Sequence, residues 1–260
     1  MKYQISNIDA TPIISRILKR LRLLNDIRLN AEAMELTPGE YIYSPEIISL
    51  PNESERATGT MPHTTLDRVT SRQREGLHFH GPTIAYKVPN AKIIHGSLYQ
   101  GFNYETCAPR NFFRPFITKN IHYFYEAQLC SDLSSEMYFG HWLCDSMSTE
   151  LLSIDRGIKN ICFNISSRSH EYGYRKIFGI EKNPIDYAFF SRLWVVDDRG
   201  INSNRRDRFL RLRDKVISFS KPTTTEKNEL IFILRGAHGS RGRLLNENQI
   251  AETLSARGFS

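Results

Sequence analysis

Cysteine is scarce in this chain: four in 260 residues, Cys107, Cys130, Cys144 and Cys162, with no CxxC pair among them. That excludes a disulfide framework and a four-cysteine zinc site, and points to a reducing compartment. No run approaches the roughly 18–20 consecutive apolar residues of a membrane span. Met1 to Pro12 has neither the apolar core nor the small-residue cleavage site of a signal peptide. A cytoplasmic location is therefore expected. Internal repeats and low-complexity tracts are also missing. What remains is ordinary: 40% hydrophobic and 24% charged residues, 15 Gly and 11 Pro, which excludes disorder and collagen and suits one large domain or two small ones.

Acidic groups are in deficit, 28 Asp+Glu against 35 Lys+Arg, for a formal charge of +7. The partner implied is anionic: a phosphate ligand, a nucleic acid or an acidic membrane surface. From Thr11 to Leu36, Ile14, Ile17, Leu18, Leu21, Leu24 and Ile27 form one stripe at helical spacing, with Arg16, Lys19, Arg20 and Arg28 mostly elsewhere. This predicts a basic amphipathic helix. Such a helix either packs on its own domain or lies in a membrane interface with its cations toward anionic headgroups, so residues 11–36 are the candidate for peripheral contact at the inner face of a membrane. Residues 37–76 read as a long connection, because Pro38, Pro45, Pro51 and Pro62 forbid a long helix. Thr83 to Phe102 reads as small β structure broken at Pro89-Asn90 and Gly96, and the aromatics of Phe112 to Leu129 read as core.

Beyond residue 139 helical and strand patterns alternate. Helices are predicted over 140–152, 172–178, 204–218 and 246–257, the last closed by Gly258. Short apolar runs at 160–165 and 193–196 and a buried strand over 230–234 lie between them. Strands alternating with helices imply an α/β fold with a parallel sheet covered on both faces. The chain stops at Gly258-Phe259-Ser260, where an α/β unit would deliver its next strand, and so reads as unfinished.

Two segments carry chemistry. Residues 229–249 comprise a strand pattern, a loop with Gly236, Gly239 and Gly242 and with Arg235, Arg241 and Arg243, and a helix start at which Asn246 and Gln249 fit a capping box. Glycines admit a ligand close to the backbone, and arginines offer forked donors to phosphate oxygens. The spacing matches neither the P-loop nor GxGxxG in its usual place. The bland alternative is a solvated basic loop. The second segment is Tyr138-Phe-Gly-His-Trp-Leu-Cys-Asp145, which places His141 and Asp145 four apart on one helix face, suited to acid/base work. More often such a His is a hydrogen-bonded helix-start residue. The two fall short of a zinc ligand set, as do His78 and His80, which lack a third partner. Arg205, Arg206, Arg208, Arg211, Arg213 and Lys215 read as a solvated helix face, and no nucleic-acid signature accompanies them.

Taken together, Phe139-Gly-His-Trp-Leu-Cys-Asp145 and, about ninety residues on, Leu234-Arg-(loop)-Arg243-Leu-Leu-Asn-Glu247 resemble the family 61 glycosyltransferases, which include bacterial capsular polysaccharide biosynthesis proteins. A weaker likeness begins at Tyr86 to Ile94. The resemblance implies a GT-B-like architecture of Rossmann-like domains with parallel sheets, the second (donor) domain incomplete here. Residues 1–80 would form a basic helix and irregular segment, 81–220 the acceptor-side domain and 221–260 the start of the nucleotide-sugar domain. It further implies inverting transfer from a nucleotide sugar to a glycan acceptor in surface-polysaccharide assembly, with no cofactor, no obligatory metal and no nucleic acid. His141 matches the family's histidine and Asp145 the acidic position after it, Arg235 matches the arginine that ends the strand, and Arg243, Asn246 and Glu247 match an Arg-x-x-Asn-Glu segment; inversion needs one base to deprotonate the acceptor hydroxyl, for which Asp145 or His141 is the candidate. Gly242 stands where the family often has an arginine, for which Arg241 could substitute. The family's later His-Gly-Ala-type donor segment has no counterpart in these 260 residues. The rival expectation is a non-catalytic basic module that binds anions or a membrane surface.

Overall fold

A computed structural model describes residues 7–47, 59–60, 64–71, 74–109, 117–118, 121–163, 170–220, 233–234 and 246–259. In chain order its first elements are β1 (Asn7–Ile8), α1 (Thr11–Arg20), β2 (Glu32–Thr37), β3 (Glu40–Ser44), α2 (Leu66–Ser71), β4 (Gly76–His80), β5 (Thr83–Ile94), β6 (Ser97–Gln100) and β7 (Asn103–Thr106). There follow β8 (Ile117–Thr118), β9 (His122–Leu129), α3 (Leu133–Met137), α4 (Phe139–His141), a π turn (Trp142–Ser146), α5 (Met147–Asp155) and β10 (Asn160–Phe163). The last are α6 (Glu171–Phe178), β11 (Pro184–Ile185), β12 (Tyr187–Asp197), α7 (Ser203–Ser220) and α8 (Glu247–Ser255).

Eight strands form one mixed sheet in the order β11-β10-β9-β12-β5-β6-β7, with β2 also on β5. The fold is mixed α/β, but only half of this sheet has the parallel pairing expected from the alternating pattern. β9, β10, β11 and β12 run parallel, whereas β2, β5, β6 and β7 join antiparallel. The reason lies in the connections: β5, β6 and β7 are linked by two-residue turns at His95-Gly96 and Gly101-Phe102, which can only reverse the chain. The expected break at Pro89-Asn90 does not end a strand, because β5 absorbs it with Asn90 at φ 50° and pairs with β12 from Ile84 to Ile94. Apart from the main sheet, β3 pairs with β4 and β1 with β8.

The helix expected over 11–36 is ten residues long. The chain turns at Arg22, which takes φ 57°. Asp26 then accepts the Arg28 N–H at 2.8 Å to open a one-turn helix over 27–30. Glu32–Thr37 leaves as β2, because pairing with β5 overrides the helical period. This strand draws part of the first 80 residues into the main sheet.

The main core packs Val88, Ala91, Ile93 and Leu98 against Ala127, Leu129, Ile161, Phe190 and Leu193. Trp142, Met147, Leu151, Phe178, Ile180 and Leu212 form a second cluster that joins α5, α6 and α7. The aromatics of β9 are only partly core: Phe124 packs inward, but Tyr123 and Tyr125 are exposed.

Close contacts divide the chain into Met1–Phe219 and Ser220–Ser260. In the second unit α8 ends as its sequence predicts: Gly258 takes φ 87°, Phe259 N–H reaches back to Leu254 C=O and Gly258 N–H to Ser255 C=O. The capping box at its start is not formed. Asn246 has φ −105° and ψ 25° rather than an extended cap conformation, and its side chain accepts no cap bond. Of the expected buried strand over 230–234, only Ile233 and Leu234 are described. They are irregular and exposed, with no strand paired to them among the described residues.

Candidate active site

The segments that leave the carboxyl ends of β9 and β12, adjacent parallel strands, supply one cluster of charged side chains. This is where open α/β sheets place ligands. After β9, Asp132 caps α3 by accepting the Ser135 N–H at 2.7 Å. The chain then passes through α4 into the π turn, where Met147 N–H bonds Trp142 C=O, five residues back. Trp142 and Ser146 face inward on this turn, while His141 and Asp145 stay toward solvent. Phe139, His170 and Tyr174 pack around Trp142, with ring centroids 5.9–6.1 Å from it.

His141 Nδ1 lies 2.7 Å from Asp145 Oδ2. With Nδ1–H donating to the carboxylate, the ring is held in the tautomer whose Nε2 lone pair is free to accept a proton. The His141 side chain is 55% exposed and open to solvent. The other oxygen of Asp145 accepts from Arg205 Nη2. Asp145 thereby ties the dyad to α7.

The floor beneath Asp145 was not visible in the sequence. α7 turns Arg205 and Arg208 inward, contrary to the expected solvated face, whereas Arg206 and Arg213 do lie in solvent. The stripe Arg205, Arg208, Leu212 follows helical spacing, and the inner face receives it because acids wait there. Asp198 Oδ2 accepts from Arg208 Nη2 at 2.5 Å, and Asp198 Oδ1 accepts the Thr83 hydroxyl at 2.7 Å. Arg208 Nε also donates to Ser148 Oγ at 3.0 Å. Asn202 is fully buried, donating to Thr83 Oγ1 at 3.0 Å and accepting the Arg205 N–H at 3.1 Å. Gly200 lets this loop close on the link between β4 and β5, since a Cβ there would collide with the Gly81 carbonyl. Two outer contacts complete the seat of α7: Arg211 grips Asp155 with two bonds of 2.6 and 2.9 Å, and Lys215 Nζ donates to Phe178 C=O at 2.6 Å. One signal for this floor was available, an Asp197-Asp198 pair at the end of a strand pattern and just before a basic helix.

A second buried ion cluster lies nearby. Arg175 donates two 2.8 Å bonds to Glu150 and a third to Glu171, which also accepts from Lys182 at 2.9 Å. Burial pushes the Glu150 carboxyl up, against the pull of Arg175. All its members are engaged with one another, as in a structural network.

Of the other sequence candidates, Arg235, Arg241 and Arg243 lie outside the described residues. Asn246 and Glu247 stand at the start of α8 in the second unit. His78 and His80 are on β4, where His78 Nε2 meets Arg74 C=O at 2.9 Å. No group of three His, Cys, Asp or Glu side chains placed to hold a metal occurs among the described residues. The four cysteines are free thiols, and burial pushes that of Cys162 up to about 12. No described helix is long and apolar enough to cross a membrane.

At the opposite, amino-terminal end of β9 and β12 is an open groove of about 480 Å³, lined by Asn90, Lys92, Tyr123, Tyr125, Phe189 and Ser191 among others. No carboxylate or imidazole is among the residues that line it. No protein-family model, no curated protein and no solved structure matches this chain.

Proposed function

We propose that this protein is a nucleotide-sugar-dependent glycosyltransferase that acts with inversion on a glycan acceptor in surface-polysaccharide assembly, with His141 as its base. The observation that carries the reading is the Asp145–His141 dyad, with an exposed imidazole, at the carboxyl end of two parallel strands. In the reaction His141 Nε2 takes the proton of an acceptor hydroxyl while that oxygen bonds the anomeric carbon of the donor. The bond from that carbon to the bridging phosphate oxygen breaks, and the nucleoside diphosphate leaves with that oxygen and the electron pair. Asp145 orients the imidazole and stabilises the imidazolium. Between the two candidates for the base, the geometry favours His141, because both oxygens of Asp145 are already engaged, by His141 and by Arg205.

The donor side of this reading rests on the sequence resemblance. That resemblance assigns Arg235, Arg241, Arg243, Asn246 and Glu247 to the donor side, and guanidinium groups can stabilise the growing negative charge of a departing diphosphate without a metal.

Transfer from a panel of nucleotide sugars to lipid-linked and soluble glycan acceptors, together with calorimetric titration of nucleoside diphosphates, tests the proposal. His141→Ala should lower kcat/KM by roughly 10²–10⁴. Its stability should change by less than about 0.5 kcal/mol, since the side chain is largely exposed. Nucleoside diphosphates should bind in preference to inorganic tripolyphosphate. Equal binding of every polyanion with a steep salt dependence, and no transfer, would instead identify a non-catalytic basic module.

A further inference from the structure

The ordinary surface helix turns its apolar stripe to the core and its polar face to water. α1 does the reverse. The residues it buries are Thr11, Pro12 and Ser15, while Ile13, Ile14, Ile17 and Leu21 are 46%, 37%, 54% and 60% exposed. Leu23, just past the helix, is 64% exposed.

Polar contacts at its amino end hold α1 in this orientation. Asp9 Oδ2 accepts from Tyr187 Oη at 2.7 Å and Lys92 Nζ at 3.2 Å, and Asp9 Oδ1 accepts the Thr11 N–H at 2.9 Å. Lys92 Nζ also donates to Thr11 Oγ1 at 3.4 Å. Two strands of the main sheet, β5 and β12, thus grip the small polar side of the helix. Toward its other end, Lys19 Nζ lies 4.9 Å from the centre of the Tyr104 ring.

The charge carried by this segment of the chain is of one sign. Arg16, Lys19, Arg20 and Arg22 fall between Asp9 and Asp26, and no acidic residue lies between those two. At ten residues the helix is far too short to span a bilayer. An apolar stripe on a segment that carries cations and no acid fits one environment: the boundary between headgroups and acyl chains of an anionic membrane, where the stripe sinks in and the cations meet lipid phosphates.

We propose that α1 is a peripheral membrane-docking helix for anionic phospholipid, inserting Ile13, Ile14, Ile17, Leu21 and Leu23. The inference is independent of the glycosyl-transfer reading, and lipid binding is measured with no sugar substrate present.

Flotation of the full chain with vesicles of pure phosphatidylcholine, and of phosphatidylcholine mixed with phosphatidylglycerol, reads it directly. Binding should require phosphatidylglycerol and weaken as salt is raised. The double variant Ile17→Ser, Leu21→Ser should bind roughly tenfold or more weakly, because apolar burial supplies much of the affinity. Lys19→Glu with Arg20→Glu should remove the preference for anionic vesicles. A chain that binds neither kind of vesicle, binds both equally, or is indifferent to the serine substitutions overturns the proposal. A dimer in solution that those substitutions dissociate overturns it too, since a second copy would then be the occupant.

Discussion

α1 and α7 are both basic helices, and both are mounted against the pattern of their sequences. α7 buries Arg205 and Arg208 and leaves Val216, Ile217 and Phe219 exposed; α1 buries Thr11 and Ser15 and leaves its isoleucines exposed. The causes differ. Under α7 lie Asp145 and Asp198, and a charge can be buried when its counter-charge and hydrogen-bond partners are already in place. Under α1 lie Asp9, Lys92 and Tyr187, which grip the helix start and leave the stripe no core to face. A cation in the interior and an apolar stripe in water are each costly alone; acids within the fold account for the first in α7, and anionic lipid is the partner proposed for the second in α1.

The largest test of this contrast removes the acid under α7. Asp198→Ala would leave Arg208, 2% exposed, and Arg205 without that counter-ion. Urea unfolding should report a loss of about 3–5 kcal/mol. Adding Arg208→Met to Asp198→Ala should recover much of that loss. If the two losses simply add, Asp198 is not what draws Arg208 inward.

Next in size is the anchor of α1. Burial pushes the Asp9 carboxyl up, but hydrogen bonds from Thr11 and Tyr187 and the charge of Lys92 outweigh it and bring it down to about 2. A carboxyl whose folded pKa lies below its unfolded value of 3.8 contributes stability above that value, and loses it as pH falls toward 2. Wild type should therefore lose about 2 kcal/mol between pH 4 and 2 that Asp9→Asn does not lose. Parallel acid titrations of the two proteins would show that the Asp9 carboxylate does not anchor α1 to the sheet.

The smallest effect is the most telling. Ile17→Ser with Leu21→Ser should change unfolding free energy by no more than about 0.5 kcal/mol without lipid, because neither side chain contributes to a core. A loss of several kcal/mol would mean that the stripe packs inward in solution, and the contrast between the helices would collapse.

Much of the secondary structure is legible in the sequence. The helix closed by Gly258 and the helices near 140–152, 172–178 and 204–218 announce themselves by period and caps, which are local properties. So is the His141–Asp145 contact, which needs only four residues of helix. The end of α1 is not legible, since Glu32–Thr37 becomes a strand only because β5 offers it an edge fifty residues on. Nor is the antiparallel half of the sheet, which depends on where β5 finally pairs.

By itself, the sequence determined the helices near 140–152, 172–178, 204–218 and 246–257 and the reversal at Gly96, and it set out one cation-rich, apolar-striped segment near its start and another rich in arginine near residue 205. Only the tertiary structure decided which way those helices face. Direction of burial depends on what the rest of the chain places underneath, acids 7 and 60 residues from Arg205 and a lysine and tyrosine 83 and 178 residues from Asp9, and no local pattern records those partners.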